Sequence, residues 1–225
     1  MSSTLLIHHL NDSRSQRILW LVEELGVPYE VKRYERGADR LAPKELKEVN
    51  PLGGAPVITD GGRNLPESGA IVEYIISKYG EGRAQPPEAG MLDNLYFTHY
   101  SEASLMPMLV QQLIFKMIPA QAPFLIRPLL NAIFNKISAG FIEPRLKLHA
   151  DMIEKHLEKC GDWIAGGSEP TAADYMMVFC LEAWGNSSPF LLGPKTKAYV
   201  NRAHARPAYK RALEKGGEYK YAGDL

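Results

Sequence analysis

The sequence predicts an α/β region at the start of the chain and an all-helical region after it. Strand-type and helix-type patterns alternate along residues 1–82, which is typical of a layered α/β domain. From residue 91 to residue 225 only helical periodicity continues, interrupted by proline and glycine. The segment 83–90 contains prolines and has no hydrophobic period, so we interpret it as a linker between two domains.

A buried strand and an amphipathic helix open the α/β region. The apolar run TLLIHHL at 4–10 predicts the strand, and Gly26 is a residue type that ends helices. The apolar residues between them recur at the spacing of one helix face, namely Ile18, Leu21, Val22 and Leu25.

The remaining elements of this region follow from shorter patterns. Residues 29–34 alternate as a strand does, and residues 43–49 predict a short helix. A strand is expected at 56–59 and a small one near 63–65, before a helix that begins near Glu67.

The all-helical region shows long apolar stripes and no convincing strand. One stripe consists of residues at helical spacing, namely Leu146, Ala150, Ile153 and Leu157. The apolar stretch 105–134 is interrupted by charged residues, glutamines and prolines, so we expect no transmembrane segment there. Core helices or helices that line a ligand site are the expected alternative.

Charge and cysteine content narrow the class of protein. The 225 residues carry 26 basic and 26 acidic side chains with no basic stripe, which argues against a nucleic-acid partner. The two cysteines, Cys160 and Cys180, do not form a disulfide framework, and the start MSSTLL lacks the features of a signal peptide. We therefore expect a cytoplasmic globular protein.

Three short motifs place polar groups where a ligand could bind. Ser13 and Arg17 follow the first strand at a helix start, a position that favours negative charge. The turn NPLGGAP brings Pro56 to the start of a strand, where a cis bond would turn the main chain of Ala55 outward. Glu67 and Ser68 stand at another helix start. Each motif alone is also compatible with an ordinary cap or turn.

In this order and spacing, the three motifs make the whole chain resemble the glutathione S-transferase family. HHLNDSRSQRILWLVEELGVPYEV is similar to the first strand and helix of the serine-type members of the fungal and bacterial branch. SEPTAADYMMVF resembles the structural box of the helical domain, in which Thr171 and Asp174 form a capping box. The resemblance implies a thioredoxin-like N-terminal domain followed by an all-helical C-terminal domain.

The resemblance implies that Ser13 is the catalytic residue. A free thiol has a pKa of about 8.5, and lowering it by two units requires roughly 2.7 kcal/mol in favour of the thiolate. A hydroxyl hydrogen bond to a charged group contributes ~1.5–3 kcal/mol, so Ser13 could supply most of this by donating to the sulfur of glutathione. Ser15 is the alternative donor, Asn11 and Arg14 are possible helpers, and Arg17 is expected to be structural.

The resemblance also assigns the remaining contacts with glutathione. Ala55, presented by Pro56, should pair through its backbone with the cysteinyl unit, while Glu67 and Ser68 should hold the γ-glutamyl end. The family often has a long polar or basic residue two positions before the proline, but here that position is Gly54. Either of two basic residues is therefore the expected cation for the glycyl carboxylate, namely Arg40 or Lys44.

A second, electrophilic substrate would bind beside the helical domain. The residues expected to line its pocket are Tyr100, Leu105, Met106 and Phe115. The resemblance further implies a detoxifying transferase, with peroxidase activity as a possible addition, that acts as a homodimer. A carrier of apolar ligands or a protein-interaction module on the same fold is the alternative.

We expect no metal and no cysteine nucleophile. His8 and His9 are adjacent in a strand, so they point to opposite faces and cannot bind one metal together. His149 and His156 share a helix side without further ligand-type residues, and we expect them at the solvated surface. The absence of cysteine from residues 1–82 argues against the cysteine-type members of the family.

Overall fold

A computed structural model describes residues 4–223. The first part contains a four-stranded sheet in the order β2-β1-β3-β4 with helices packed on it. The strands are β1 (Leu5–Leu10), β2 (Tyr29–Tyr34), β3 (Val57–Asp60) and β4 (Arg63–Pro66). The helices of this part are α1 (Gln16–Leu25) and α2 (Ser68–Tyr79), with a 3₁₀ turn at Lys44–Glu48. β1 pairs in parallel with β2 and antiparallel with β3, which is the thioredoxin-like arrangement.

The second part is helical throughout its described residues. Its helices are α3 (Met91–Tyr100), α4 (Met106–Gln121), α5 (Arg127–Ile137), α6 (Glu143–Leu157), α7 (Ala172–Ser187), α8 (Pro194–Ala205) and α9 (Pro207–Gly216). The predicted fold class is therefore confirmed. The division at residues 82 and 91 stays a prediction; the chain between α2 and α3 contains one 3₁₀ turn, Glu88–Gly90.

The hydrophobic pattern of each element explains its place in the core. The predicted helix face of α1 is fully buried, and Gly26 ends the helix in the left-handed conformation that glycine adopts without strain. Trp20 of α1 packs edge-on against Tyr175 of α7 and Tyr209 of α9. One continuous core therefore joins the sheet region to the helical region.

The capping box predicted at the start of α7 is present and buried. The Asp174 carboxylate accepts hydrogen bonds from the Thr171 N–H at 2.7 Å and the Thr171 hydroxyl at 3.0 Å. It also accepts from the Ile164 N–H at 3.0 Å and the Tyr199 hydroxyl at 2.8 Å. The carboxylate thus ties the segment before α7, α7 itself and α8 together, which fits a folding role.

The helical run Glu88–Gln121 is long and apolar enough to cross a bilayer by length and composition, with a mean hydropathy of 1.2. Its Phe97, Tyr100 and Leu105 are nevertheless buried in the core, where α3 packs along α7. Core helices of globular proteins meet the same criterion, so this feature alone is weak evidence for a membrane segment.

Candidate functional site

The start of β3, the start of α2 and the outer side of α3 enclose a cavity of about 760 Å³. From the first part of the chain, four predicted residues line it together, namely Ala55, Pro56, Glu67 and Ser68. Volumes of this size are typical of small-molecule sites. A separate cleft of about 500 Å³, between the linker and the start of α7, contains none of the predicted site residues.

The start of α2 presents free backbone N–H groups to the cavity. Ser68 is the first residue of the helix, and Gly69 and Ala70 of the same turn also line the cavity. The first N–H groups of a helix have no intrahelical acceptor, so they can bind a carboxylate. Glu67 precedes them with φ +78°, a backbone conformation that costs a non-glycine residue free energy. Glu67 and Ser68 therefore contribute adjacent positions to the same cavity wall.

Asn50 fixes the turn that presents Ala55. Its side-chain amide donates to the Gly54 carbonyl at 2.9 Å, and its Oδ1 accepts from the Leu52 N–H at 3.1 Å. The Ala55–Pro56 bond that follows is cis. Asn50 therefore holds the turn from inside, and its own side chain reaches the cavity wall.

Ser13 and Ser15 lie side by side in the connection between β1 and α1. Their hydroxyl oxygens are 2.8 Å apart, and the Ser13 hydroxyl also donates to the Leu10 carbonyl at 2.7 Å. Ser13 Oγ accepts from the Ser15 N–H at 3.2 Å. Both residues are buried, and the cavity wall at this point is formed by the next residue, Arg14.

Glu102 connects the serine segment to the helical part. Its carboxylate accepts from Arg14 Nε at 2.9 Å and from Arg17 Nη1 at 2.7 Å. The Arg17 side chain is only 1% exposed and also donates to the sulfurs of Met176 and Cys180 on α7. Arg17 is therefore structural, as expected.

The structure does not bring the predicted basic residues to the cavity. Arg40 lies in an exposed turn, where its N–H donates to the Gly37 carbonyl, and Lys44 begins the 3₁₀ turn Lys44–Glu48. Neither lines the cavity, so the assignment of Arg40 or Lys44 to the glycyl carboxylate is not supported. Among the described lining residues, the basic side chains are Arg14 and His99.

The four residues predicted for the pocket of the electrophilic substrate do not line this cavity. Leu105 is fully buried, Met106 is nearly so, and Phe115 packs on Phe134 of α5 at 5.3 Å between ring centroids. The buried Tyr100 hydroxyl is hydrogen-bonded to His149 Nδ1 at 2.5 Å.

A π-helical turn at Ser101–Leu105 follows Tyr100, and such a turn widens the helix and shifts the phase of the faces after it. The residues of the helical part that line the cavity are Thr98, His99, Glu102, Ala103 and Met176.

The expectation for the histidines of α6 was wrong. His149 contacts Tyr100, and His156 Nε2 donates to the Ile164 carbonyl at 2.8 Å while its ring packs on Phe97. His8 and His9 do point to opposite faces, since His8 contacts Tyr34 and Thr59. Within residues 4–223, no cluster of three His, Cys, Asp or Glu side chains could hold a metal ion.

Comparison with known proteins identifies the family. The model of the glutathione S-transferase N-terminal domain matches residues 2–77. The chain is 33% identical to glutathione S-transferase 3 of Schizosaccharomyces pombe over 94% of its own length and 87% of that protein. It is 31% identical to glutathione S-transferase 1 of Saccharomyces cerevisiae, covering 78% of this chain and 79% of that one.

Solved structures agree with the sequence relatives. The structure of a glutathione S-transferase from Actinobacillus pleuropneumoniae superimposes with a TM-score of 0.77 at 30% identity and covers 97% of this chain and 96% of that chain. A family member from Pseudomonas fluorescens, solved with two glutathione molecules bound, has a TM-score of 0.69 at 24% identity and covers 94% of this chain and 92% of that one. With a cavity formed by the cis-proline turn and the start of α2, this chain belongs to the glutathione S-transferase family.

Proposed function

We propose that this transferase joins the thiolate of glutathione to electrophilic, largely apolar acceptors, with Ser13 as the residue that stabilises the thiolate. The observation that carries the proposal is the shared cavity of Ala55, Pro56, Glu67 and Ser68. It offers a backbone edge for the cysteinyl unit and, at the start of α2, donors for the γ-glutamyl carboxylate. Glutathione bound in the Pseudomonas fluorescens relative supports the choice of ligand.

In the proposed reaction, the thiol proton leaves to solvent and the sulfur attacks an electrophilic carbon of the acceptor. A carbon–sulfur bond forms while the bond to the leaving group breaks, and the leaving group departs with the electron pair. Ser13 need not ionise, because its hydroxyl only donates a hydrogen bond to the sulfur. To do so it must turn its proton from the Leu10 carbonyl toward the ligand.

A glutathione-dependent peroxidase activity would use the same thiolate. The sulfur would attack the hydroperoxide, releasing an alcohol and leaving glutathione as a sulfenic acid, which a second glutathione converts to the disulfide and water. The two free cysteines, half-buried Cys160 and buried Cys180, are compatible with a reducing compartment, and we place the protein in the cytoplasm with a detoxifying role.

We further propose a homodimer. The support is the outer face of α3, on which several large apolar residues are exposed, namely Met91, Leu92, Leu95 and Tyr96. Contiguous apolar residues on the surface of a globular protein indicate an interaction site.

Activity with a chlorinated aromatic acceptor tests the function. Wild-type protein should conjugate glutathione to the acceptor, and Ser13→Ala should lower turnover at least tenfold, which is the loss of about 1.4 kcal/mol. If Ser15→Ala loses activity while Ser13→Ala retains it, the residue assignment is wrong. If both variants retain it, the hydroxyl does not activate the thiol.

A carrier or interaction module on the same fold is the second candidate. The observation that favours it is the exposed apolar surface of the α4–α5 hairpin, which includes Phe124, Leu125 and Leu129. Titration with glutathione separates the two. Absence of binding at millimolar glutathione would leave only the carrier or module.

A further inference from the structure

A row of hydrogen-bonded side chains leads from Ser13 into the protein interior. Ser13 Oγ lies 2.8 Å from Ser15 Oγ, which in turn lies 2.8 Å from Nδ1 of His9. Two backbone N–H groups complete the row, since the Leu10 N–H donates to Ser15 Oγ and the Ser15 N–H donates to Ser13 Oγ. The row therefore runs from the end of β1 to the start of α1, beside the cavity.

His9 occupies the inner end of this row in a dry environment. It is 2% exposed, and it faces Arg33 of β2, Gln16 of α1 and Gly216 of α9. Burial, and then the charge of Arg33, lower the pKa of His9 to about 4. The imidazole is therefore neutral near pH 7, and one of its two ring nitrogens carries the single proton.

The surroundings favour the proton on Nδ1. On that side Ser15 Oγ lies at hydrogen-bonding distance. On the other side, Nε2 makes no hydrogen bond within residues 4–223, and the buried Gln16 amide, which is also without a partner there, does not bond to it. A buried N–H without an acceptor costs about 1–3 kcal/mol, so the proton is more stable on Nδ1.

With the proton on Nδ1 of His9, the hydroxyl proton of Ser13 is available to a ligand. If Nδ1 donates to Ser15, the hydroxyl proton of Ser15 is free, and of its two acceptors Ser13 Oγ at 2.8 Å lies nearer than the Leu10 carbonyl at 3.2 Å. Ser13 then accepts from both the hydroxyl and the N–H of Ser15, and its own proton is left for another acceptor. With the proton on Nε2, Ser15 would donate to His9 instead. Turning the Ser13 proton to a ligand would then leave two oxygens 2.8 Å apart with no proton between them.

We propose that His9 is a positioning residue: it donates from Nδ1 to Ser15, which donates to Ser13, so that the Ser13 proton is directed to the sulfur of glutathione. This inference rests on the proposed function of Ser13. It assigns Ser15 a role as the middle member of the row, and no direct contact with the sulfur.

The pKa of the enzyme-bound glutathione thiol, followed by the ultraviolet absorbance of the thiolate against pH, tests this proposal. His9→Leu removes the donor, and a neutral hydrogen bond of this kind contributes about 0.5–1.5 kcal/mol. We therefore expect the thiol pKa to rise by roughly 0.4–1.1 units and kcat/KM near neutral pH to fall about two- to tenfold. His9→Asn keeps an N–H donor near the position of Nδ1 and should restore most of the lost effect.

His8→Leu is the matched control, because His8 lies next to His9 but contacts Tyr34 and Thr59 on the opposite face of the sheet. It should leave the thiol pKa unchanged. Ser15→Ala interrupts the same row without altering His9 and should reproduce the rise. The double variant Ser15→Ala/His9→Leu should show no further rise, since both substitutions remove one continuous row.

The outcomes separate this proposal from the proposed function. If Ser13→Ala raises the thiol pKa but neither His9→Leu nor Ser15→Ala does, the row is not functional and Ser13 acts alone. If Ser13→Ala leaves the thiol pKa unchanged, the role of Ser13 and the role of His9 are both overturned. If His8→Leu raises the pKa as much as His9→Leu, the effect is structural and the positioning role is refuted. Melting temperatures of all variants identify any that fail to fold. If the His9 variants do not fold, the thiol pKa measured with Ser15→Ala tests the proposal alone.

Discussion

Arg17 of α1 donates to Glu102 of the π-helical turn at 2.7 Å, across the junction of the sheet region and the helical region. Arg17 is buried, and its Nε has no partner within residues 4–223, so Glu102 is the only carboxylate that offsets this charge there. Glu102 also lines the cavity and binds Arg14. One carboxylate therefore contributes both to the stability of the junction and to the shape of the site.

Glu102→Gln tests the structural part of this role. Loss of the charge leaves the Arg17 guanidinium buried with a weaker partner, and we expect the free energy of unfolding to fall by about 2 kcal/mol. Urea denaturation measures this free energy of unfolding. Glu73→Gln is the control, because Glu73 lines the same cavity but is exposed; it should change stability by less than about 0.5 kcal/mol. If both substitutions lowered the free energy of unfolding equally, the ion pair of Arg17 and Glu102 would contribute no more stability than an exposed carboxylate does.

The capping box gives a stronger prediction for stability. Asp174→Ala removes an acceptor of four hydrogen bonds from a fully buried place, so the protein should lose at least about 4 kcal/mol or fail to fold. Asp151→Ala, in an exposed pair with Lys147 one helical turn away on α6, should cost less than about 0.5 kcal/mol. Near-equal denaturation midpoints for the two variants would contradict the folding role of Asp174.

The sequence was sufficient for features that depend on local patterns. The apolar stripe of α1, the ending at Gly26 and the box of Thr171 and Asp174 are each contained in a few consecutive turns of chain. The first two identify a buried helix before any tertiary contact is known. The cis-proline turn and the start of α2 could be joined into one site only through the resemblance to the glutathione S-transferase family, because no local pattern relates the two segments.

Features that depend on distant parts of the chain could not be predicted. Glu102 is separated from Arg17 by 85 positions, so its role follows only from the packing of both α1 and the π-helical turn on α7. The π-helical turn at Ser101–Leu105 adds to this, because it rotates Leu105 and Met106 into the core and Ala103 to the cavity. An unbroken 3.6-residue period does not describe which faces such a turn presents.

The lowered pKa of His9 predicts that the folded protein loses stability in mild acid. Its pKa is about 4 in the folded protein and near 6.5 when the chain is unfolded, so between these values the unfolded chain binds more protons. Stability should therefore fall as the pH drops from 6.5 toward 4, by at most about 1.4 kcal/mol per pH unit for this group, and should not fall further below 4 on its account. His9→Asn should flatten the curve of unfolding free energy between pH 7 and pH 5. An unchanged slope would mean that His9 has the same pKa in the folded protein as in the unfolded chain.

The start of α2 predicts how binding depends on Ser68. Its hydroxyl should donate to the γ-glutamyl carboxylate, and a hydrogen bond to a charged group contributes ~1.5–3 kcal/mol. Ser68→Ala should therefore weaken binding of S-methylglutathione roughly 10- to 150-fold in calorimetric titration. This ligand has no free thiol, so Ser13→Ala should bind it as the wild type does. Weaker binding in Ser13→Ala and normal binding in Ser68→Ala would exchange the proposed roles of the two serines.

The exposed face of α3 predicts the oligomeric state. Leu92 is 76% exposed, although a leucine of this size gains free energy by burial. If this face is the dimer interface, Leu92→Glu places a charge without a partner in an apolar contact and should shift the protein to monomers at micromolar concentration. Phe190→Glu is the control, since Phe190 is 78% exposed in a different part of the fold and its substitution should leave the dimer intact. Sedimentation velocity distinguishes the two states, and a wild-type protein that sediments as a monomer, or a Leu92→Glu variant that remains dimeric, would place the interface elsewhere or exclude it.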